Sequence, residues 1–278
     1  MLAASVQMNS RDNKEENIES AITLIRKSAK RGASLVSLPE QFNFLGPEEK
    51  IADNAESIPG HTIEILQDEA KSLSMYIACG SILERPDKDE GLEKFYNTSV
   101  LLNPEGDIVA KYRKIHLFDI SIKGQKTYLE SKNIEPGNKS VIAKTDLGKV
   151  GLTICYDLRF PELYRKLTFD GAKIIFVPSA FTLYTGKDHW LPLLRARAIE
   201  NQVYIIASAQ FGKHPPNKEC LGRSLIVDPW GNVIAQAENK VTFALGEIDL
   251  DFQEEIREQL PSLNHQRRDL FSFRQKTY

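Results

Sequence analysis

The sequence predicts an α/β protein in which helices cover buried β-sheets. Two runs, IIFVP at 174–178 and VYIIASA at 203–209, are almost wholly apolar, which is typical of strands buried on both faces. Segments with apolar residues on one helical face alternate with such runs, and turn sequences join other strands as hairpins. No linker or low-complexity tract divides the chain, so residues 1–278 are predicted to form a single domain.

Strands and helices alternate through the first half of the chain. Ile18, Ala21 and Ile25 fall on one face of a helical pattern that ends at Gly32. Asn-Pro-Glu-Gly at 103–106 predicts a hairpin turn. The predicted strands are 2–8, 35–38, 76–83, 97–102 and 107–112, and the predicted helices are 14–30 and 62–73.

The second half resumes this alternation after an irregular stretch at 116–137, whose length is typical of a functional loop. Pro-Trp-Gly-Asn at 229–232 predicts a second hairpin turn. Residues from about 252 to 278 are predicted to form a polar C-terminal extension that contacts a partner subunit. The predicted strands are 149–155, 172–177, 203–209, 224–228, 233–237 and 242–248, and the predicted helices are 161–169 and 189–201.

Composition is that of an ordinary globular protein, with 41% hydrophobic and 27% charged residues. The formal net charge of -2 excludes the basic footprint of a nucleic-acid-binding protein. Three cysteines cannot all pair with each other, which favours a reducing compartment. The first residues read as a strand and a polar loop, and no apolar run approaches the length of a membrane span, so a cytoplasmic location without membrane contact is predicted.

Metal and nucleotide sites are not indicated by any motif. The sequence has no Cys-x-x-Cys and no His-x-x-x-His, and its five histidines are scattered. No Gly-x-Gly-x-x-Gly follows a strand, and no phosphate-binding Gly-Lys-Ser or Gly-Lys-Thr loop occurs. We therefore expect neither a metal nor another cofactor.

A cysteine lies at a predicted corner between a strand and a helix. The apolar run at 150–154 stops at Cys155, and Pro161 opens the next helical pattern. Such a corner exposes a nucleophile and surrounds it with backbone N–H groups and the positive end of a helix. The alternative is that Cys155 is inert packing, since free cysteines are among the most buried residues.

Two charged residues close other predicted strands and could meet this cysteine. Glu40 ends LVSLPE, and Lys114 ends IVAKYRK. Carboxyl ends of strands gather at one edge of an α/β sheet, where a carboxylate could take the thiol proton and an ammonium could stabilise an oxyanion. Taken singly, each also has a structural explanation, Glu40 as a solvated strand end and Lys114 as part of a basic cluster.

Three motifs then carry a resemblance to a known family. LPE at 38–40, YRKIHLFD at 112–119 and CYDLRFPE at 155–162 occur in this order and together resemble the nitrilase superfamily of carbon–nitrogen hydrolases. The resemblance extends from Ala4 to the RRDL sequence at 267–270. It implies a four-layer αββα sandwich, usually assembled as a homodimer or larger homo-oligomer, with a Glu-Lys-Cys site.

The resemblance also implies a role for each matching residue. Glu40 would be the general base, Lys114 the group that stabilises the tetrahedral intermediate, and Cys155 the nucleophile that is acylated. Glu130, which matches the second glutamate of the family, would orient Lys114 and help to place the hydrolytic water. The backbone N–H of Tyr156 would complete the oxyanion hole.

The region 178–214 is similar to the small amidase branches that act on deaminated glutathione and on amides of 2-oxo acids, and it favours the former. The implied reaction is hydrolysis of an amide of a small carboxylate-bearing substrate through a thioester, with release of ammonia. Arg159, Phe181 and Thr185 would line the acid-binding side of the pocket; an ion pair with Glu162 is the alternative for Arg159. Arg223 departs from the histidine that this branch often has, which leaves its role open.

Two other functions stay open on the sequence. The first is hydrolysis of nitriles or N-carbamoyl amino acids at the same site. The second is non-catalytic binding on the same fold, which gives no reason for a thiol and an ammonium at two strand ends.

Overall fold

The computed structural model describes residues 1–124, 127–267 and 269–270. Short 3₁₀ helices lie at Glu48–Lys50, Lys88–Glu90, Glu130–Lys132 and Cys155–Arg159. The α-helices are α1 (Lys14–Ala29), α2 (Ile51–Asn54), α3 (His61–Leu73), α4 (Pro161–Phe169), α5 (Leu183–Asn201) and α6 (Leu250–Gln259). The strands are β1 (Leu2–Met8), β2 (Leu35–Ser37), β3 (Tyr76–Ala78), β4 (Ile82–Glu84), β5 (Tyr96–Leu102), β6 (Ile108–Arg113), β7 (Asp119–Ile120), β8 (Tyr128–Leu129), β9 (Val141–Thr145), β10 (Gly148–Leu152), β11 (Ile174–Phe176), β12 (Tyr204–Ala207), β13 (Ala209–His214), β14 (Lys218–Leu221), β15 (Leu225–Val227), β16 (Val233–Gln236) and β17 (Thr242–Glu247).

Two sheets contain most of these strands. The first sheet has the order β14-β13-β1-β2-β3-β5-β4, with β17 paired to β1 and β6 paired to β5. The second sheet has the order β16-β15-β12-β11-β10-β9. β1, β2 and β3 run parallel, as do β10, β11 and β12, so the carboxyl ends of each parallel set lie at one edge.

The sheets pack face to face, and helices cover their outer faces. Ile25 of α1 and Leu66 of α3 share a buried cluster with Val36 of the first sheet. Leu194 of α5 packs in a second cluster, which also contains Leu35 of the first sheet and strands of the second. The layers are therefore helix, sheet, sheet and helix, which confirms the predicted αββα fold.

The chain passes from the second sheet to the first at Ser208, between β12 and β13. The hydroxyl of Ser208 donates to the carbonyl of Ser37 at 2.9 Å, and it lies 3.1 Å from the hydroxyl of Ser5. Ser5 in turn donates to the carbonyl of Ala207 at 2.8 Å. Small hydroxyl side chains thus satisfy buried backbone groups where the two sheets meet.

The prediction of one strand at 76–83 was wrong, because the chain breaks at Gly80. Gly80 has a φ of +55°, a left-handed conformation that disfavours other residues. A Cβ at this position would lie 2.0 Å from the carbonyl oxygen of Pro39. The break therefore lets β3 and β4 pass close beside the segment that carries Glu40.

Three features of the second half also differ from the prediction. The strand predicted at 149–155 ends at Leu152, so Cys155 opens a 3₁₀ turn instead of closing a strand. The helix predicted at 189–201 begins earlier, at Leu183, and accommodates Pro192 in its interior. The hairpin of β13 and β14 was not predicted, and the irregular loop contains the short hairpin of β7 and β8.

The first residues of the C-terminal extension form part of α6 and pack against the rest of the same chain. α6 buries Gln253 and Ile256, and Gln253 donates to the carbonyls of Lys173 and Gln202. Residue 268 and residues 271–278 of the extension lie outside the described residues, and its contact with a partner subunit stays a prediction. Of the helices in the described ranges, none has the length and apolar character needed to cross a membrane.

Candidate active site

Three side chains reach one cavity from the ends of three strands. Glu40 follows β2 and Lys114 follows β6, both in the first sheet. Cys155 follows β10 in the second sheet. All three line the same cavity of about 320 Å³. The expected convergence of these strand ends is therefore observed, although it joins two sheets and not one edge of a single sheet.

Lys114 lies between two carboxylates. Its side chain is 2% exposed, and its ammonium donates to Oε1 of Glu40 at 2.9 Å and to Oε1 and Oε2 of Glu130 at 3.0 and 2.8 Å. Burial disfavours the charged form, yet the charges of Glu130 and Glu40 raise the pKa of Lys114 well above its usual value. The ammonium is consequently protonated throughout the neutral range.

Glu40 is held in place by donors from three parts of the chain. Oε1 accepts from the side chain of Asn97 at 2.9 Å, and Oε2 accepts from the backbone N–H of Ala180 at 2.7 Å. Burial would raise the pKa of this carboxyl group, but the ammonium groups of Lys114 and Lys218 lower it to about 2. Glu40 is thus an ionised carboxylate with a fixed orientation.

Cys155 has the backbone of a strained corner. Its φ of +47° is in the left-handed region, where a non-glycine residue costs roughly 1–3 kcal/mol. Its N–H donates to the carbonyl of Pro178 at 2.9 Å, which ties the corner to the end of β11. The residue is 7% exposed. Such a geometry places the sulfur at the cavity surface while the rest of the residue is buried.

The thiol of Cys155 interacts with the carboxylate of Glu40. Burial raises the pKa of this thiol well above its usual value, and the negative charge of Glu40 raises it further, against the opposing effect of Lys114. Between Glu40 and Cys155, the proton therefore resides on sulfur at rest. A carboxylate beside a neutral thiol is the arrangement that general-base activation of a nucleophile requires.

Glu130 enters the cavity from the loop between β6 and β9. It is the first residue of a 3₁₀ turn, and its Oε2 also accepts from the backbone N–H of Phe118 at 2.7 Å. Its Oε1 accepts from Asn97 at 3.2 Å, so one amide side chain bridges Glu130 and Glu40. Lys114 and Asn97 together fix the separation of the two carboxylates.

The backbone N–H groups around the nucleophile differ in their partners. The N–H of Cys155 donates to Pro178, and that of Asp157 donates to Ile154 at 3.1 Å. The N–H of Tyr156 between them has no acceptor within the described part of the chain. It is therefore free to donate to an oxyanion formed at the substrate carbonyl.

The predicted substrate-binding residues lie at different distances from the cavity. Phe181 and Thr185 line it, beside Ala180 and Thr182. Arg159 does not belong to its described lining; its guanidinium lies 5.3 Å from the centre of the Phe181 ring and 3.3 Å from Nδ1 of His189. The alternative ion pair between Arg159 and Glu162 does not occur among the described residues, within a limit of 4.0 Å.

A family model for carbon–nitrogen hydrolases matches residues 2–258. The chain belongs to the carbon–nitrogen hydrolase family. This hydrolase is 45% identical to the deaminated glutathione amidase of Synechocystis over 95% of this chain and 97% of that protein. It is 42% identical to the mouse deaminated glutathione amidase, over 97% and 84% of the two chains. It is 41% identical to the mouse omega-amidase NIT2, over 98% of this chain and 97% of that protein.

Solved structures give the same family. The carbon–nitrogen hydrolase superposes on the C. elegans NitFhit protein with a TM-score of 0.91 and 37% identity, over 98% of this chain and 66% of that longer chain. It superposes on Saccharomyces cerevisiae Nit3, a member of branch 10 of the nitrilase superfamily, with a TM-score of 0.85 and 33% identity over 94% of each chain. The recognition made from three sequence motifs is thereby confirmed, and the protein is an amidase-type hydrolase of carbon–nitrogen bonds.

Sequence reasoning missed three residues of the hydrolase site. Asp157 lies inside the CYDLRFPE motif, and its position two residues after the nucleophile was a usable signal. Asn97 begins a predicted strand, and nothing in its surroundings distinguishes it. Lys218 belongs to the hairpin that was not predicted, so its place in the cavity lining could not be deduced.

No group of three or more His, Cys, Asp or Glu side chains that could hold a metal ion occurs in the described ranges. The acidic and thiol groups of the site are instead engaged with Lys114 and with each other. The chemistry available there is that of a thiol, a base and a fixed cation.

Proposed function

We propose that the chain is a cysteine-dependent amidase that cleaves its substrate through a thioester on Cys155. In this proposal Glu40 is the general base and Lys114 stabilises the tetrahedral intermediate. Glu130 orients Lys114 and the attacking water, and the N–H of Tyr156 donates to the oxyanion. The observation that carries the proposal is the arrangement of an ionised Glu40 between a neutral thiol and a paired ammonium.

Acylation begins when Glu40 takes the thiol proton as sulfur attacks the amide carbon. The carbonyl oxygen becomes an oxyanion, which Lys114 and the Tyr156 N–H stabilise. Glu40 then returns the proton to the amide nitrogen, the C–N bond breaks, and the amine leaves. The acyl group remains on sulfur as a thioester.

Deacylation repeats these steps with water in place of the thiol. Glu40 takes a proton from water, and the hydroxide attacks the thioester carbon. The second tetrahedral intermediate collapses, the C–S bond breaks, and the proton returns to sulfur. The products are a carboxylic acid and the regenerated thiol.

Cys155 could lose its proton before it attacks the substrate or during the attack. The pKa values of the site favour the second course. Because the pKa of the thiol is raised and that of Glu40 is lowered to about 2, transfer of the proton before attack is strongly uphill. The proton must therefore move as the C–S bond forms, when the developing oxyanion is stabilised by Lys114.

For the substrate we propose an amide of a 2-oxo dicarboxylic acid, with deaminated glutathione preferred and the omega-amidase substrates 2-oxoglutaramate and 2-oxosuccinamate as the alternative. Relatives with both names match at similar identity, 45% and 41%, so identity alone does not separate them. Deaminated glutathione contains only secondary amides, so its hydrolysis releases an amine. The release of ammonia expected from the sequence therefore applies only to the omega-amidase substrates. For deaminated glutathione the expectation was wrong, because the group released is an amine.

A comparison of two substrates tests this choice. The purified chain is supplied with deaminated glutathione and with 2-oxoglutaramate, and the acid, amine and ammonia produced are quantified. A preference of about tenfold in kcat/KM, equivalent to about 1.4 kcal/mol at the transition state, identifies the better substrate. Cleavage of nitriles or N-carbamoyl amino acids in preference to both amides would overturn the proposed substrate class.

Two cysteine variants test the proposed nucleophile. Cys155→Ala is expected to abolish hydrolysis and the mass increase of a trapped acyl-enzyme. Cys79→Ala, which alters a buried cysteine in the cluster between the first sheet and α1, is expected to retain both. Circular dichroism of each variant reports whether the fold is kept. Full activity of a folded Cys155→Ala enzyme would overturn the mechanism.

The proposal also includes a homodimer or larger homo-oligomer and a cytoplasmic location. Light scattering of the purified full chain measures its mass directly. A monomer at the concentrations used for activity assays would remove the assembly from the proposal.

A further inference from the structure

Lys218 is directed into the cavity by the alternation of strand β14. Side chains two residues apart on a strand share one face. Cys220, two residues after Lys218, packs on that face against Leu45 and Ala180, which themselves line the cavity. Lys218 also lines the cavity, whereas Glu219 between them is exposed.

The neighbouring segment places this strand beside the substrate-side wall. The N–H of Leu221 donates to the carbonyl of Phe181 at 3.0 Å, and Thr182 forms an isolated bridge with Cys220. Lys218 therefore lies on the same side of the cavity as Phe181 and Thr185. Its charge is close enough to Glu40 and Cys155 to lower the pKa of each.

Among the residues that the structure describes, none forms an ion pair with the ammonium of Lys218. In the described part of the chain, no carboxylate oxygen lies within 4.0 Å of its Nζ, and its side chain makes no hydrogen bond. Lys114, the other described lysine of the cavity lining, is shared by two carboxylates. Within the described ranges, Lys218 is thus a cation that forms no ion pair, although the charge of Glu40 acts on it from a longer distance.

Lys218 is a charged residue that is only partly accessible to water. Burial disfavours its ammonium form, but its surroundings, with Cys220 and Glu40 foremost, raise its pKa above the usual value. A half-buried charge without a partner is unfavourable, and an incoming anion removes that penalty.

Charges at the cavity mouth give the site a polarity. Glu48 and Glu49 line the cavity from an exposed 3₁₀ turn, and Glu48 pairs with Lys132 at 3.1 Å. These carboxylates disfavour an anion at the mouth. An anionic group of a bound molecule is therefore better accommodated at the Lys218 side, near the nucleophile.

We propose that Lys218 binds the carboxylate of the substrate's acyl part and so selects amides of dicarboxylic acids. The inference rests on the proposed amidase function, because it takes Cys155 to be the acylated residue. Deaminated glutathione and 2-oxoglutaramate carry the same acyl group, so Lys218 serves either substrate. Discrimination between them then falls to the groups that contact the departing amine or ammonia.

A matched pair of amides tests this role. Glutaramate and pentanamide have the same chain length and both release ammonia, but only glutaramate has a distal carboxylate. In Lys218→Met, kcat/KM for glutaramate is expected to fall by about tenfold or more, while kcat/KM for pentanamide changes by less than about twofold. Lys218→Arg, which keeps the charge, is expected to recover part of the loss for glutaramate.

Lys213→Met is the control for removal of a positive charge from this hairpin. Lys213 lies on β13, paired with Glu219, and is exposed. Lys213→Met is expected to leave kcat/KM unchanged for glutaramate and for pentanamide. Equal losses for the two amides in Lys218→Met would overturn carboxylate recognition and assign Lys218 an effect on Cys155 itself, and no loss for either would also overturn it.

A binding measurement separates this inference from the proposed function. Calorimetric titration of glutarate into Cys155→Ala is expected to give a Kd about tenfold lower than titration into the Cys155→Ala, Lys218→Met double variant. If the wild-type chain hydrolyses neither deaminated glutathione nor 2-oxoglutaramate, the proposed function fails while this difference in Kd still supports Lys218 as the anion site. Equal Kd values would overturn the Lys218 site even in an active amidase.

Discussion

The hydroxyl of Tyr112 donates a hydrogen bond of 2.7 Å to Oδ2 of Asp157. Tyr112 belongs to β6 of the first sheet, two residues before Lys114. Asp157 lies two residues after Cys155, in the 3₁₀ helix that follows β10 of the second sheet. This bond therefore links the strand that delivers the cation to the turn that delivers the nucleophile. It fixes the relative positions of two groups that no sequence-local contact could align.

The carboxylate of Asp157 is a buried acceptor with several donors. Oδ2 also accepts from the N–H of Ile154 at 2.8 Å, and Oδ1 accepts from the N–H of His116 at 3.1 Å. The ring of His116 lies with Nδ1 2.7 Å from Oδ1 and stacks on Phe160 at 3.7 Å. His116 is consequently held against the Cys155 turn by a hydrogen bond and by ring stacking.

Tyr112→Phe is expected to lower kcat by about tenfold with little change in KM, because the Cys155 turn loses its tie to the Lys114 strand. Loss of one buried hydrogen bond to a charged group is expected to lower the free energy of unfolding by about 1–3 kcal/mol. Steady-state kinetics and urea unfolding measure the two effects.

Tyr204→Phe is the matched control for this prediction. Tyr204 is also buried, and its hydroxyl donates to the carbonyl of Asp249 at 3.0 Å, away from the cavity. It is expected to lose stability without losing activity. Equal activity losses in both variants would show that the Tyr112 effect is general destabilisation.

Glu40→Gln is expected to abolish amide hydrolysis and to accelerate alkylation of Cys155 by iodoacetamide near neutral pH. The negative charge of Glu40 raises the pKa of the thiol, so its removal lowers that pKa and increases the thiolate fraction. Amide hydrolysis still fails because no base returns the proton to the leaving nitrogen. The rate of mass increase on Cys155 and the rate of product formation therefore change in opposite directions.

Glu56→Gln controls for loss of a buried carboxylate elsewhere. Glu56 accepts from Lys14 at 2.9 Å and does not line the cavity. In Glu56→Gln, the rate at which iodoacetamide alkylates Cys155 is expected to match that of the wild type. Slower alkylation of Cys155 in Glu40→Gln would instead mean that Glu40 is needed to ionise the thiol at rest.

The sequence was sufficient for the residues whose chemistry is concentrated in short motifs. Glu40, Lys114 and Cys155 each follow a strand, and the apolar runs before them were strong enough to predict that the strand ends would meet. Glu130 was placed by resemblance alone, because a glutamate in a long polar loop has no periodic pattern to locate it. The structure gives its position through the hydrogen bond from Phe118.

What the sequence could not supply depends on backbone conformation and on long-range pairing. Thr185 was predicted to precede a helix, but it lies in the first turn of α5, because the early helical residues show no amphipathic pattern. The β13–β14 hairpin has only one short apolar run and a Pro-Pro turn, so Lys218 remained unplaced. Arg159 looked suited to a carboxylate, yet the fold turns it toward His189.

Gly80→Ala is expected to reduce activity by about tenfold or more and to destabilise the fold by more than about 2 kcal/mol. The added Cβ would lie 2.0 Å from the carbonyl oxygen of Pro39, so the segment carrying Glu40 must shift. Gly91→Ala is the control, since Gly91 also has a positive φ, of +62°, but has no atom within 4 Å of the built Cβ. It is expected to lose only about 1 kcal/mol and no activity. Unchanged kcat in Gly80→Ala would show that the Glu40 segment tolerates the displacement.

His214 is expected to make stability fall as the pH decreases. The residue is 3% exposed, and Nδ1 donates to the carbonyl of Ser10 at 2.7 Å. Burial lowers the pKa of His214 to about 4, against the raising effect of the Ser10 hydrogen bond and with a further lowering effect of the positive charges of Lys218 and Arg11. The unfolded chain therefore binds this proton first, and stability present above the ordinary histidine pKa is lost as the pH falls toward 4.

His214→Asn removes this titration while keeping a side-chain donor. The difference in unfolding free energy between wild type and His214→Asn is expected to shrink by about 2 kcal/mol from about pH 7.5 to about pH 5. Urea unfolding at both pH values measures it. A constant difference for His214→Asn would mean that the buried ring accepts its proton as readily as in the unfolded chain, which burial and the nearby positive charges of Lys218 and Arg11 oppose.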